Sequence, residues 1–137
     1  AASPNKIQQY RANSFDGSNY PAYDEGPDDI TEGLDVSENS GKIPTLVRLS
    51  NGQVVMFYIT ADDSTIKVKN CNDLSLNATG WSADSYIFHP NFSTEIFTSV
   101  FAYQTQEQTI KVIYSVSTSG PTTNNARIRT ALAELIV

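Results

Sequence analysis

The sequence predicts an all-β chain in which a small antiparallel sheet occurs twice. Residues 45–49 and 53–59 are rich in β-branched and aromatic side chains and are joined by Ser50-Asn51-Gly52. Asn-Gly between two such runs is the strongest short-range signal for a β-hairpin. Residues 66–69 then alternate apolar and basic side chains with the two-residue period of a strand, and a similar pattern returns after residue 98.

The first unit is a meander whose turns are marked by polar residues. Asp62-Asp63-Ser64 separates the second strand from the third, because short polar side chains favour turns. Residues 71–80 are polar and are expected to form the next turn. A fourth strand is then expected at residues 85–88, after Trp81.

The second unit follows the same plan with a longer second turn. Residues 98–103 and 108–116 are expected to form a hairpin around a turn at 104–107. After the polar residues 117–125, the third strand is expected at 126–131. The Ala and Leu content of this last segment also suits a helix, but the correspondence with the first unit favours a strand.

Matching positions in the two units indicate an internal repeat. Tyr58 corresponds to Tyr114, 56 residues later (114 − 58), and Ile66-Lys67 corresponds to Ile128-Arg129. Repetition of a small antiparallel sheet at this period is the signature of β-propeller blades. The alternative is two ordinary hairpins of a β-sandwich.

The N-terminal region has a different character. Residues 6–10 are expected to form a strand that pairs beside residues 131–137 or with a neighbouring subunit. Residues 15–41 are rich in Gly and acidic residues and are predicted to be a loop, anchored by aromatic side chains. We therefore expect residues 1–41 to be a stem or to complete a blade, and residues 42–137 to hold the two-blade repeat region.

Composition narrows the classes of function. The chain has 137 residues and a formal net charge of −6, so it lacks the basic stripe that neutralises nucleic-acid phosphates. No apolar run is long enough to insert into a membrane. Cys71 is the single cysteine, which excludes an internal disulfide. The acidity suits a divalent cation or a soluble acidic surface.

A dense run of acidic residues makes residues 24–39 a candidate calcium site. Ca²⁺ takes several oxygen ligands from carboxylates and carbonyls on irregular loops. The segment that begins at Asp35 also places oxygen donors at alternate positions, although its Gly falls one residue later than in the usual calcium loop and no acidic residue closes it. The alternative is a solvated acidic loop. The predicted ligands are Asp24, Asp28, Asp29, Asp35, Ser37 and Asn39.

Two stretches resemble β-propeller blades of the sialidase type. Residues 44–58, PTLVRLSNGQVVMFY, are similar to the first hairpin of such blades. Ser75-Leu-Asn77-Ala-Thr79-Gly-Trp81 resembles an Asp-box, a turn between the third and fourth strands of a blade. Asn77 stands where Asp is usual, and Trp81 comes one residue early. The resemblance covers residues 44–81, and a weaker similarity follows after residue 98.

Two blades cannot close a propeller, so the resemblance implies an assembly. Three copies would give a six-bladed, pseudo-hexameric ring with closed symmetry and no exposed sheet edges. Fucose lectins are built in this way. The length, acidity and stem-like N-terminus also resemble the calcium-bearing receptor-binding head of the spike of marine, tailless, lipid-containing bacteriophages (corticoviruses). This resemblance implies a homotrimer at the virion surface or outside the cell.

The predicted function is non-enzymatic attachment to a cell-surface receptor or glycan. His89 is the single histidine and precedes a proline, and the chain has too few arginines for a sialidase-type cluster. The alternative functions are a fragment of a sialidase-like hydrolase, a structural capsid or surface protein, and a two-blade lectin. For Trp81 the alternative is packing between blades. The predicted ligand-binding residues are Tyr20, Tyr23, Trp81, Tyr86, His89 and Phe92.

Overall fold

The computed structural model is all-β, as the sequence predicts. Across the described residues the chain forms nine strands in three antiparallel sheets and one 3₁₀ turn, Ala78–Gly80. We call these sheets A, B and C in chain order. The structure describes residues 6–11, 25–30, 43–74, 76, 78–83, 85–90, 94–106, 109–118 and 127–134.

Sheet A corrects the prediction for the N-terminal region. The predicted strand is present as β1 (Gln8–Arg11), but it pairs with β2 (Glu25–Asp29) instead of residues 131–137. The predicted loop at 15–41 therefore contains a strand. Local propensity opposes β2, whose sequence EGPDD includes a proline that cannot donate to a ladder. The ladder accommodates this segment with an irregular register between Gln9 and Arg11.

Sheet B confirms the predicted four-stranded meander. Its strands are β3 (Thr45–Arg48), β4 (Val54–Ile59), β5 (Ile66–Cys71) and β6 (Ser85–Phe88). They are hydrogen-bonded in the order β3-β4-β5-β6, so each strand lies beside its neighbour in the sequence. All six residues of β4 are buried, because this strand is covered on both faces of the sheet.

The Asn-Gly turn between β3 and β4 has the geometry of a three-residue hairpin loop. The Gly52 N–H donates to the Leu49 carbonyl over 2.9 Å, and the Leu49 N–H donates to the Gln53 carbonyl over 2.8 Å. Gly52 has φ +89°, in the left-handed region that side chains disfavour. A type I turn followed by a left-handed glycine matches the right-handed twist of the strands that it joins.

Sheet C confirms a second meander and shifts its boundaries. Its strands are β7 (Glu95–Gln106), β8 (Thr109–Thr118) and β9 (Arg127–Glu134). β7 extends to Gln106, so the turn predicted at 104–107 is wrong in its first residues. The segment for which strand and helix competed is a strand, because it pairs with β8 over eight positions and this pairing outweighs its helix propensity.

The three sheets are stacked in the order A, B, C. One apolar cluster lies between B and C and contains Phe57 and Ile59 from β4 and Val112 from β8. We call it the B–C cluster. A second cluster lies on the opposite face of sheet B, where Ile7 and Ile30 from the ends of sheet A meet sheet B. We call this second group the A–B cluster. Sheet B is therefore the central layer, with a partner on each side.

The first strands of sheets B and C run in the same direction. At the start of β7, the Phe97 N–H donates to the carbonyl of Asp63, in the turn after β4. At its end, Gln104 accepts a hydrogen bond from the N–H of Ser50, in the turn after β3. β7 therefore runs along sheet B from the second turn to the first, parallel to β3. Successive blades of a propeller place their first strands in this relation.

Equivalent residues of the two meanders have the same pairing between strands but pack into different clusters. Tyr58 lies opposite Lys67 in sheet B, and its counterpart Tyr114 lies opposite Arg129 in sheet C. However, Tyr58 belongs to the A–B cluster, whereas Tyr114 belongs to the B–C cluster. Two sheets related by a twofold axis would direct equivalent residues into a common core. Sheets B and C therefore stack head to tail, each with the same face towards the preceding layer.

Candidate functional site

The acidic strand of sheet A is held by an ion pair. Lys6 Nζ lies 2.6 Å from Asp29 Oδ2, and Gln8 Nε2 donates to Asp29 Oδ1 over 3.0 Å. These hydrogen bonds lower the pKa of Asp29 below its usual range, with the positive charge of Lys6 adding to the effect. The carboxylate is therefore ionised near neutral pH, and two of its bonds go to side chains of the N-terminal segment.

The structure places two of the six predicted calcium ligands. Asp28 and Asp29 lie in β2, where Asp28 is paired with Gln9. The part of the chain that is described holds no group of three or more His, Cys, Asp or Glu side chains that could hold a metal ion. Calcium binding stays a prediction. The other four predicted ligands, Asp24, Asp35, Ser37 and Asn39, lie outside the described residues.

Trp81 joins sheet A to sheet B. Its side chain is buried in the A–B cluster, next to Cys71, with which it forms an isolated antiparallel bridge. The indole N–H donates to Gln9 Oε1 over 2.8 Å, and Gln9 Nε2 donates to the Leu74 carbonyl over 3.0 Å. A buried indole with a satisfied N–H is a packing element. This placement favours the packing alternative over an exposed stacking platform.

The remaining predicted ligand-binding residues fall into two groups. His89 follows β6 and is exposed, and Tyr86 lies within β6 opposite Lys67. Because the Trp81 side chain is buried, it cannot form an exposed binding surface together with His89. Tyr20, Tyr23 and Phe92 lie outside the described residues, so their participation in binding stays a prediction.

The Asp62-Asp63-Ser64 turn is stabilised by its own side chains. Asp62 Oδ1 accepts hydrogen bonds from Thr60 Oγ1 over 2.7 Å and from the Ser64 N–H over 3.1 Å. These bonds lower the pKa of Asp62. The turn also supports sheet C, because its Asp63 carbonyl accepts from the Phe97 N–H. These hydrogen bonds give both aspartates a structural role in the turn.

We expect Asp62→Ala to lower the free energy of unfolding by about 1 kcal/mol, because both hydrogen bonds are lost. The lowered pKa means that the charged form of Asp62 stabilises the fold above the ordinary aspartate pKa. This contribution is lost as the pH falls through the lowered pKa of the folded state. Urea unfolding at pH 7 and pH 3 measures both effects. Asp62→Asn keeps an acceptor oxygen and is the control, since it should remove the contribution of Asp62 to the pH dependence with a smaller loss at pH 7.

A bidentate ion pair crosses sheet C. Arg129 donates to the two carboxylate oxygens of Glu95 over 2.8 and 3.0 Å, and the Glu95 side chain is only 4% exposed. The hydrogen bonds to Glu95 raise the pKa of Arg129. Sequence reasoning placed Arg129 in the strand expected at 126–131 but missed its partner, which is 34 residues away. The ion pair connects β9 to the start of β7. The guanidinium of Arg129 is therefore engaged in a contact that stabilises the fold.

The outer face of sheet C, which points away from sheet B, carries exposed apolar side chains. Phe101 is 57% exposed and Ile128 is 79% exposed. The rings of Phe101 and Tyr103 are tilted neighbours with centroids 6.1 Å apart. Ile113 lies opposite Phe101 on the same face, and Lys111 lies opposite Tyr103. Sequence reasoning missed this surface, although apolar residues at both odd and even positions of residues 100–103 signal it.

Comparison with known proteins identifies no relative of this chain. No family model, curated protein or solved structure matches this chain. Within the described ranges, no helix has the length and apolar character needed to cross a membrane. The function is therefore inferred from the arrangement of the sheets and from their exposed surfaces.

Proposed function

We propose that the chain is a non-enzymatic attachment domain whose copies close into a β-propeller. The observation that carries this proposal is the head-to-tail stacking of sheets B and C. Their first strands are parallel, and Tyr58 and Tyr114 occupy the same register position on the side of each sheet that faces the preceding layer. A head-to-tail stack repeats by rotation, and rotation closes a ring when the number of units fits.

A homotrimer is the assembly that the proposal favours. Each chain supplies two blade-like meanders, so three chains supply the six blades of a pseudo-hexameric ring. Ring closure covers the outer face of sheet C, which a single chain leaves exposed at Phe101 and Ile128. The small sheet A would complete a blade or form a stem.

A trimer would suit attachment to a cell-surface receptor or glycan because its binding is multivalent. A trimer presents each weak site three times, and linked sites bind with an avidity that exceeds the affinity of one site. The sequences around Tyr23 and Phe92 offer the aromatic and polar mixture that sugar and protein surfaces contact. In this proposal the domain lies outside the cell or on a virion.

The test of this function is binding to intact cells. We expect the fluorescently labelled protein to bind cells saturably and to be displaced by unlabelled protein. Tyr23→Ala or Phe92→Ala should weaken binding without a change in the melting temperature. A parallel series of fluorogenic glycosides tests the hydrolase alternative, and turnover of any of them would contradict a non-enzymatic role. A folded trimer that binds no cell type tested and no arrayed glycan would favour the structural-protein alternative.

Calcium is proposed to stabilise the N-terminal region through Asp24, Asp28, Asp29, Asp35, Ser37 and Asn39. A ligand that binds only the folded state adds about 2.7 kcal/mol of stability at a hundredfold excess over its dissociation constant. Chelation should therefore lower the melting temperature, and Asp28→Asn together with Asp35→Asn should remove that response. Identical melts of metal-stripped protein with and without added calcium would contradict the site.

A further inference from the structure

We propose that two specific surfaces of the chain pack against each other between copies: the outer face of sheet C on one copy and the Leu46 side of β3 on the next. The inference rests on the proposed head-to-tail ring and identifies the residues that form its contacts between chains. The occupant of the outer face of sheet C is thus a second copy of this chain.

Exposed apolar residues concentrate on these two surfaces. The described chain exposes seven large apolar side chains, of which Phe101, Tyr103 and Ile128 lie on the outer face of sheet C. Leu46 on β3 is 58% exposed; Ile43, which precedes β3 and is not counted on the Leu46 side, is 74% exposed. The other two, Leu74 and Leu76, lie in the segment that precedes the 3₁₀ turn. Contiguous exposed apolar area of this kind marks an interaction surface.

The internal repeat shows which residues on the exposed outer face of sheet C correspond to residues of sheet B that sheet C covers. The pair Leu46–Met56 in sheet B has the register of the pair Ala102–Val112 in sheet C, 56 residues later (102 − 46). By the same shift, Ile113 occupies the position of Phe57, which sheet C buries completely. The outer face of sheet C therefore has the place in the repeat that, in sheet B, receives the next blade.

One pair of positions makes the inference specific. Ala102 and Val47 are both buried in the B–C cluster, on the adjacent strands β7 and β3. Applying the repeat shift to each gives Leu46 as the counterpart of Ala102 and Tyr103 as the counterpart of Val47. Leu46 of one copy is then expected to lie over Tyr103 of the next, as Ala102 lies over sheet B within the chain.

The side-chain hydrogen bonds between sheets A and B lie away from β3. Its Gln9 is bound to Trp81 and to the Leu74 carbonyl, on the β5 side of sheet B. Leu46, on β3 at the opposite edge of the sheet, stays exposed on the same face that sheet A covers in part. The same face of β4 is already buried in the A–B cluster, so the contact of a neighbouring sheet C is confined to β3, beside sheet A. Because the two contact surfaces differ, the interface is heterologous, and each added copy presents the same pair of surfaces again.

Cysteine cross-linking distinguishes this interface from other arrangements. Leu46→Cys and Tyr103→Cys chains carrying different affinity tags are co-expressed and treated with a short bis-maleimide. The native Cys71 is buried and gives little background. We expect a covalent dimer when the two variants are combined and none when either variant is treated alone. A combination of Leu74→Cys with Tyr103→Cys is the matched control and should not cross-link, because Leu74 is also an exposed leucine but lies outside both surfaces.

The other outcomes contradict the inference in different ways. Cross-linking of Tyr103→Cys alone would mean that two outer faces of sheet C meet in a twofold dimer. A trimer of wild-type protein in which the combined variants do not cross-link would overturn this interface and leave the proposed ring intact. A wild-type protein that is monomeric by mass would overturn both proposals.

Discussion

Phe57→Ala should lower the free energy of unfolding by about 3–5 kcal/mol, because it leaves a large cavity between sheets B and C. The Phe57 ring is fully buried at the centre of β4, and its neighbours in the B–C cluster come from both meanders. A backbone ladder on each side limits how far the surroundings can collapse into the space. Urea unfolding of the variant and the wild type at the same protein concentration measures the change, because assembly makes the apparent stability depend on concentration.

Leu74→Ala is the matched control for this substitution. Leu74 is 45% exposed, so its truncation should change the free energy of unfolding by about 0.5 kcal/mol or less. A loss of less than about 1 kcal/mol for Phe57→Ala would mean that sheets B and C do not share a packed core. The stacking from which the proposed ring is built would then be wrong.

Phe101→Asp should separate the assembly into monomers and weaken cell binding by a factor on the order of 10² or more, the gain that avidity supplies. The substitution places a charge on the outer face of sheet C, where the proposed contact with the next copy would remove it from water. Because Phe101 is exposed within one chain, the monomer should keep its fold. Size-exclusion chromatography with light scattering and a cell-binding titration measure the two effects.

Leu74→Asp is the control for the introduced charge. It adds the same carboxylate at an exposed leucine outside the proposed interface, and it should leave both mass and cell binding unchanged. A Phe101→Asp protein that stays trimeric would exclude the outer face of sheet C from the interface. A monomeric variant that binds cells as tightly as the wild type would show that attachment does not depend on avidity.

The meanders could be predicted from the sequence because their signals are local. Asn51-Gly52 specifies a hairpin turn through the positive φ of Gly52, and Asp62 stabilises the next turn through bonds to residues two positions away on either side. The shared register of Tyr58 and Tyr114 could likewise be predicted, since the correspondence of Ile66-Lys67 with Ile128-Arg129 places Lys67 and Arg129 at matching positions.

The features that escaped prediction depend on contacts between distant parts of the chain. Strand β2 has the sequence EGPDD, which opposes a strand locally, and it forms against β1 with the Lys6–Asp29 ion pair at one end. The partner of Arg129 is Glu95, and the partner of Trp81 is Gln9, 72 residues away. Neither pairing has a sequence signal, because it follows from how the sheets stack.

The candidate site residues show the same difference between local signals and contacts made by distant parts of the chain. Residue types identified aromatic and acidic candidates, but a residue type alone does not specify burial. Trp81 is in the A–B cluster, whereas Phe101, which sequence reasoning passed over, is exposed. An apolar strand residue faces either the core or the solvent according to which face a second sheet covers. That choice is made by the stacking of three sheets, which no single segment encodes.

The most direct test of the head-to-tail ring is the mass of the wild-type protein in solution, measured by light scattering at micromolar concentration. One chain has a mass of 15.0 kDa, so a trimer should give about 45 kDa (3 × 15.0), independent of dilution over the range in which cell binding is measured. A mass of 15.0 kDa with cooperative unfolding would contradict the ring, because sheets B and C would then be stable with the outer face of sheet C exposed to solvent.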